Sequence, residues 1–287
     1  MPALRRLWLG ATLALSIGGP ALAKPPVWIV RDRDSEMLIF GSIHALPPGL
    51  DWRPAALDRA LRRADDVWFE FADPAGDGEG GRRAQAAGAL PPDRSLFQLL
   101  PADLSGQLQR AAAELGLDKT VLDRLQPWMA DVVVAGAAAR RAGLATETGV
   151  EAELAAAARP GAARRSLDSV DEQVALYAGA PLPEQIAALR RTLTDLDRPQ
   201  ADDRRLVEAW MNGDLKPLAA ATEGLRRSDP DAWRRTVAER NARWTRRLAA
   251  RLKGRGRSVV VVGVGHLVGP GSLPARLRAL GYSVEGP

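Results

Sequence analysis

The 287-residue chain has no cysteine. Without thiols it can form no disulfide, carry no lipid on a cysteine and use no thiolate nucleophile, so its fold rests on an ordinary apolar core even in an oxidising compartment. Histidine is almost as scarce, with only His44 and His266. Aromatic residues make up 5% of the sequence and are not interleaved with the basic runs, so no stacking platform for nucleic acid is present despite a formal charge of +5. There is no Gly-x-Ser-x-Gly elbow, which argues against acyl-enzyme chemistry on a serine. Beyond the first 23 residues no apolar run is long enough to span a bilayer.

What is present begins with Ser258 to Val262, in which four consecutive valines follow the basic run Lys253 to Arg257. Such a run reads as a strand buried on both faces. Gly263-Val264-Gly265-His266 comes next, a flexible turn that delivers an imidazole to the carboxyl end of a strand, where open α/β sheets bind ligands. The other histidine repeats the arrangement: Met37 to Phe40 is apolar and runs into Gly41-Ser42-Ile43-His44. With Gly at about 7% of average usage, chance places it three residues before both histidines with odds of about 0.5%, so the repetition points to one shared site.

These paired Gly-x-x-His motifs resemble those of the TraB/GumN family, to which Tiki-type metalloproteases are related. The likeness extends through Val67-Trp68-Phe69-Glu70, Gln126-Pro127-Trp128, Gly149-Val150-Glu151, the run Ser166 to Gln173, and Arg240-Asn241-x-x-Trp244. It departs at Leu167-Asp168, where the family's pattern has Leu-Glu. The resemblance implies a hydrolase of peptide or ester bonds with a divalent metal ion as cofactor. Its site residues would be His44, Glu70, Arg240, Asn241 and His266, and its metal ligands would come from His44, Glu70, Asp168 and His266. It also implies two alternatives, a haem- or ligand-binding protein of the ChaN-like type and a metal-independent esterase of the erythromycin esterase-like kind.

Taken in order, residues 1–23 have the basic start, apolar core and Ala21-Leu22-Ala23 ending of a signal peptide. Cleavage would leave 264 residues (287 − 23), read as a single α/β domain over 24–287 that is periplasmic or secreted and has no stable membrane span. Residues 26–31 and 36–41 form an expected hairpin around Asp32-Arg33-Asp34-Ser35, followed by a Pro47-Pro48-Gly49 loop and a helix from Pro54 to Arg63. Residues 66–71 form a strand whose Glu70, if central, requires a metal or a cation; on an edge strand it would simply face solvent. Residues 73–94 read as a mobile surface loop, and a helical insertion follows to about residue 145.

A helix over 149–158 leads into a short strand at 165–167, with Asp168 at its carboxyl end as a site or turn residue. Ser169-x-x-Glu172 then opens the next helix as a capping box. Helices broken by Pro183, Pro199 and Gly213 fill residues 181–225. From Pro230 to Leu252 a helix capped by Asp229 shows the apolar stripe Trp233, Val237, Trp244, Leu248 and Leu252. The stripe is interrupted by Arg240 and Asn241, polar groups that need partners on a core-facing turn and so point to a polar pocket or a buried ion pair. A last helix over 272–280 and a strand over 282–285 complete a mostly parallel central sheet with an N-terminal hairpin, flanked by helices. Gly263-x-Gly265 also imitates a dinucleotide-binding fingerprint, but the third glycine stands at 269, one position late.

Overall fold

A computed structural model describes residues 24–43, 46, 49–71, 78–143, 150–196 and 201–287. The expected leader, His44, Pro47, Pro48, Gly149 and Pro199 lie outside the described residues. The strands are β1 (Val27–Arg31), β2 (Ser35–Ser42), β3 (Asp66–Phe69), β4 (Ala163–Ser166), β5 (Gly256–Gly263) and β6 (Ser283–Glu285). They form one sheet in the order β4-β3-β5-β2-β1-β6. Pairing is parallel between β2 and β5, β5 and β3, and β3 and β4, whereas β1 runs antiparallel to both β2 and β6. The expected hairpin and mostly parallel α/β sheet are therefore present, with β1 alone running against the rest. β3 lies between β4 and β5, so it is not an edge strand.

Around the sheet are α1 (Ala55–Leu61), α2 (Glu79–Gly88), α3 (Leu96–Leu99), α4 (Ala102–Leu115), α5 (Lys119–Leu122), α6 (Pro127–Arg141) and α7 (Val150–Ala157). After β4 come α8 (Val170–Ala178), α9 (Leu182–Leu196), α10 (Ala201–Met211), α11 (Leu215–Ser228), α12 (Pro230–Trp233), α13 (Arg240–Leu252) and α14 (Leu273–Ala279). Strand alternation divides the valines of β5 between two cores. Val259 and Val261 join Leu38, Phe40 and Val67 against α1, α7, α10 and α11, while Val260 and Val262 join Met37 and Ile39 against α13 and α14. A third core of Leu96, Leu104, Leu108, Leu122, Val134, Leu189 and Leu193 belongs to α3 to α6 and α9, so the helical insertion packs around its own apolar centre. Among the described residues no helix is long and apolar enough to cross a membrane.

Three expectations need correction. Part of the expected loop over 73–94 is the helix α2, in which a Cβ on Gly80 would lie 2.7 Å from the Phe71 ring and one on Gly88 2.6 Å from Met129. These glycines permit close packing against Phe71 and Met129, although a glycine-rich composition resembles that of a turn. Pro183 does not break a helix; it sits in the first turn of α9, where its missing N–H costs nothing. The helix expected from Pro230 to Leu252 contains a π-helical stretch, Arg234–Glu239, between α12 and α13. The wider turn shifts the phase of the apolar face, so Trp233 and Val237 are only half-buried, whereas Trp244, Leu248 and Leu252 are fully buried.

Candidate functional site

The parallel strands present their carboxyl ends along one edge of the sheet. Glu70 follows β3, Asp168 lies two residues past β4, and His266 closes a 3-10 turn after β5, Val264–His266. Neither Gly263 nor Gly265 takes a positive φ, so this turn is not the flexible glycine hinge expected from sequence. The glycine the turn needs is Gly41 on neighbouring β2, where a Cβ would meet Val264 at 3.0 Å and Leu267 at 3.1 Å. Gly41 also accepts a hydrogen bond through its carbonyl from the buried Trp210 indole at 2.7 Å. The repeated Gly-x-x-His thus has a packing reason at its first copy.

Arg240 is the centre of the described site. Its Nε donates to Asp168 Oδ2 and its Nη2 to Glu70 Oε2, both at 2.8 Å, and its Nη1 lies 3.4 Å from His266 Nε2. The guanidinium is stacked 4.3 Å over the Trp244 ring. Burial disfavours the charge on Arg240, but the opposing fields of Glu70 and Asp168 outweigh it and raise its pKa above the usual guanidinium value. Glu70 is held a second time, its Oε1 accepting the Gly263 N–H at 2.6 Å. Asp168 has a side-chain exposure of 1% and receives the Trp244 indole N–H at 2.7 Å and Arg243 Nη2 at 3.3 Å as well as Arg240.

Asn241 fixes the histidine. Its Nδ2 donates to the carbonyls of His266 and Gly271 at 3.3 and 3.1 Å, which turns its Oδ1 toward His266 Nδ1 at 2.7 Å. An amide oxygen can only accept, so Nδ1 carries the ring proton and Nε2 carries the lone pair of the neutral imidazole. That Nε2 lies 3.8 Å from Glu70 Oε1. The Trp244 and His266 rings touch with centroids 4.5 Å apart, which restrains the imidazole plane.

Of the residues expected from sequence, Glu70, Asp168, Arg240, Asn241 and His266 are brought together; His44 is outside the described residues. Ser42, two residues before it, donates to Glu151 Oε1 at 2.9 Å, so Glu151 also reaches this edge of the sheet. Sequence reasoning placed Trp244 in the apolar stripe and missed that its indole N–H and ring face serve Asp168, Arg240 and His266. It also missed Arg243 and Arg247, which lie one and two turns beyond Arg240 and hold Asp168 and Glu172. Their spacing of three and four residues was the available signal.

Two of the candidate metal donors meet a distance condition. Zinc–ligand bonds of about 2 Å put two ligands of one ion at most about 4 Å apart, and His266 Nε2 and Glu70 Oε1 satisfy this. Asp168 is held more completely than Glu70: it accepts from Arg240, Arg243 and the Trp244 indole, whereas Glu70 accepts from Arg240 and the Gly263 N–H. Among the described residues no group of three or more His, Cys, Asp or Glu side chains is placed to hold an ion.

YbaP of Escherichia coli (strain K12) is 24% identical over 273 residues, covering 93% of this chain and 97% of that protein. YbaP of Shigella flexneri matches to the same extent. No solved structure matches the chain. The model of the TraB/PrgY/gumN family matches residues 26–286, nearly the whole sequence, and the chain belongs to that family.

Proposed function

We propose that this protein is an exported hydrolase of peptide or ester bonds, working in the periplasm or outside the cell, whose site is the carboxyl edge of the sheet around His266, Glu70 and Arg240. The observation that carries this reading is the fixed tautomer of His266, which presents Nε2 beside a carboxylate oxygen 3.8 Å away. His266 and Glu70, with His44, would hold a divalent ion, which when bound lowers the pKa of water and polarises a carbonyl. Asp168 serves differently from the ligand role expected of it: it orients Arg240. Arg240 in turn anchors Glu70 through Oε2 and directs Nη1 toward the reacting region, where its charge stabilises a developing oxyanion. Asn241 keeps His266 in one tautomer and orientation.

The test is hydrolysis of peptide and ester substrates by the wild type and by His44→Ala, His266→Ala and the double variant. Each single change should abolish activity, and the double variant should lose little more, because residues acting as one unit are not additive. Independent losses that follow thermal stability would reject the shared site. A Soret band on adding haem, without hydrolysis of any substrate, would replace the hydrolase with a binding protein.

A further inference from the structure

At the opposite end of the sheet from the candidate site, a cavity of about 160 Å³ lies between α1 and the strands β1, β2 and β5. Its floor follows from strand register. Ile29 is paired with Leu38 and Arg31 with Glu36 across β1 and β2, and Glu36 is paired with Arg257 across β2 and β5, so alternation puts all five on the α1 side of the sheet. Helix α1 buries Leu57 and Leu61 in the core and turns Ala56, Arg59 and Ala60 toward the cavity, with Arg63 just past its end, at helical spacing. Because both apolar helix positions on this wall are alanine, α1 leaves a space that larger side chains would fill. Six residues of β5, about 20 Å of strand, separate Arg257 from Gly263, so the cavity is distinct from the site around His266.

The charges around this cavity do not balance. Arg31 is neutralised where it stands, its Nε on Glu36 at 2.9 Å and its Nη1 on Glu285 at 2.5 Å. Arg59, Arg63 and Arg257 line the same cavity, and none of them forms an ion pair with a described carboxylate. Asp65, which accepts the Arg257 backbone N–H, is committed to Arg159. By contrast Arg53, just before α1, does hold a carboxylate, that of Asp58. Three uncompensated guanidinium groups, set against the one surplus carboxylate of the Arg31 cluster, leave the cavity at about +2. The three arginines are exposed, Ile29, Ala56 and Ala60 are half-buried and Leu38 is buried, so a cationic mouth stands over an apolar floor.

We propose that this cavity binds a phosphate monoester whose organic part is small and apolar. A phosphate monoester carries about −1.5 to −2 at neutral pH and three acceptor oxygens, which match the net charge and the three planar N–H forks; a carboxylate brings half that charge. A cavity of about 150 Å³ holds one benzene ring, so the floor takes a single ring or a short alkyl stub. Nucleotides and haem need the larger pockets of about 300 Å³ and above. The headgroup of an anionic lipid and a soluble ester share this chemistry. The inference does not depend on the hydrolase reading.

Phenyl phosphate, inorganic phosphate and benzoate are titrated calorimetrically into the full chain. Phenyl phosphate should bind once per chain and about tenfold more tightly than either of the others. Arg59→Gln and Arg257→Gln should each weaken it about tenfold at an unchanged thermal midpoint, and Ala60→Leu should do the same by filling the cavity while keeping every charge. Arg62→Gln, which removes the same charge from the same end of α1 outside the cavity, should leave binding unchanged. No saturable binding of phenyl phosphate, equal affinity for the three probes, no loss in Ala60→Leu, or an equal loss in Arg62→Gln would overturn the proposal. Sedimentation with phosphatidylcholine vesicles containing phosphatidic acid, lost in Arg59→Gln and Arg257→Gln but kept in Arg62→Gln, would identify a lipid headgroup as the ligand. Phenyl phosphate binding without such sedimentation would identify a soluble ester.

Discussion

At the amino end of β3, Asp66 pairs with Arg251 of α13 at 2.7 Å and accepts the Trp68 indole N–H at 2.8 Å. At the carboxyl end Glu70 pairs with Arg240 of the same helix at 2.8 Å, and beside it Asp168 accepts the Trp244 indole N–H at 2.7 Å. Both ends use a carboxylate, a guanidinium and an indole. The spans agree: eleven residues of helix cover about 16 Å and four residues of strand about 13 Å, so one helix can grip both ends of one strand. The difference is what else is present. At the amino end the grip is all there is, whereas at the carboxyl end the same materials add an imidazole of fixed tautomer. An arginine pair next to a strand is therefore not in itself a functional mark; the oriented imidazole beside it is.

The largest expected effect separates the two arginines. Arg240→Met strips the cation from the buried Asp168 and the part-buried Glu70 and should cost about 3–5 kcal/mol in urea denaturation. Arg251→Met leaves Asp66 its indole partner and Arg165 at 3.9 Å and should cost about 1–3 kcal/mol, with hydrolysis kept. Equal losses would break the comparison. Arg240→Lys, which keeps the charge and loses the planar fork, should preserve the fold and lower activity.

A smaller effect sharpens the carboxyl end. Asn241→Leu removes the acceptor that fixes His266 and should lower activity or metal affinity about 10–100-fold. Kinetics and metal titration measure both, and unchanged values would remove Asn241 from the mechanism.

The smallest effects are of opposite sign with pH. Burial raises the pKa of Asp131, opposed by a hydrogen bond from Thr192 and the charge of Arg191. Its contribution is therefore most favourable below the usual carboxylate range and is lost as pH rises through the raised pKa. Asp131→Asn should stabilise the fold at neutral pH and lose that advantage in acid. For Glu172, the Arg247 hydrogen bond lowers the pKa against the opposing effect of burial. Its contribution is present above the usual carboxylate range and lost as pH falls through the lowered value. The pair is partly exposed, so Glu172→Gln should cost at most about 1 kcal/mol at neutral pH. Thermal midpoints across pH for both variants check the two signs.

Much of this was legible locally. The valine run, the hairpin and the polar interruption at Arg240 and Asn241 are patterns a few residues long, and each marks a real element of the sheet or site. The pairings that bring the site together are not local: Glu70 and His266 meet because β3 and β5 are neighbours, and no short pattern encodes that adjacency. The π-helical stretch was hidden because its sequence continues the ordinary helical spacing. Helix α2 was hidden because glycines under Phe71 and Met129 look like loop glycines. Tyr177 went unnoticed because nothing in its own segment shows that it stacks on Trp128.

The most direct test of the central claim is X-ray absorption on the zinc-loaded protein, counting imidazoles bound to the ion in the wild type, His44→Ala and His266→Ala. The account predicts two in the wild type and loss of tight zinc binding, or a single imidazole, in each variant, with Arg251→Met unchanged. A wild-type ion with no imidazole ligand, or the same count after either histidine is removed, would contradict it.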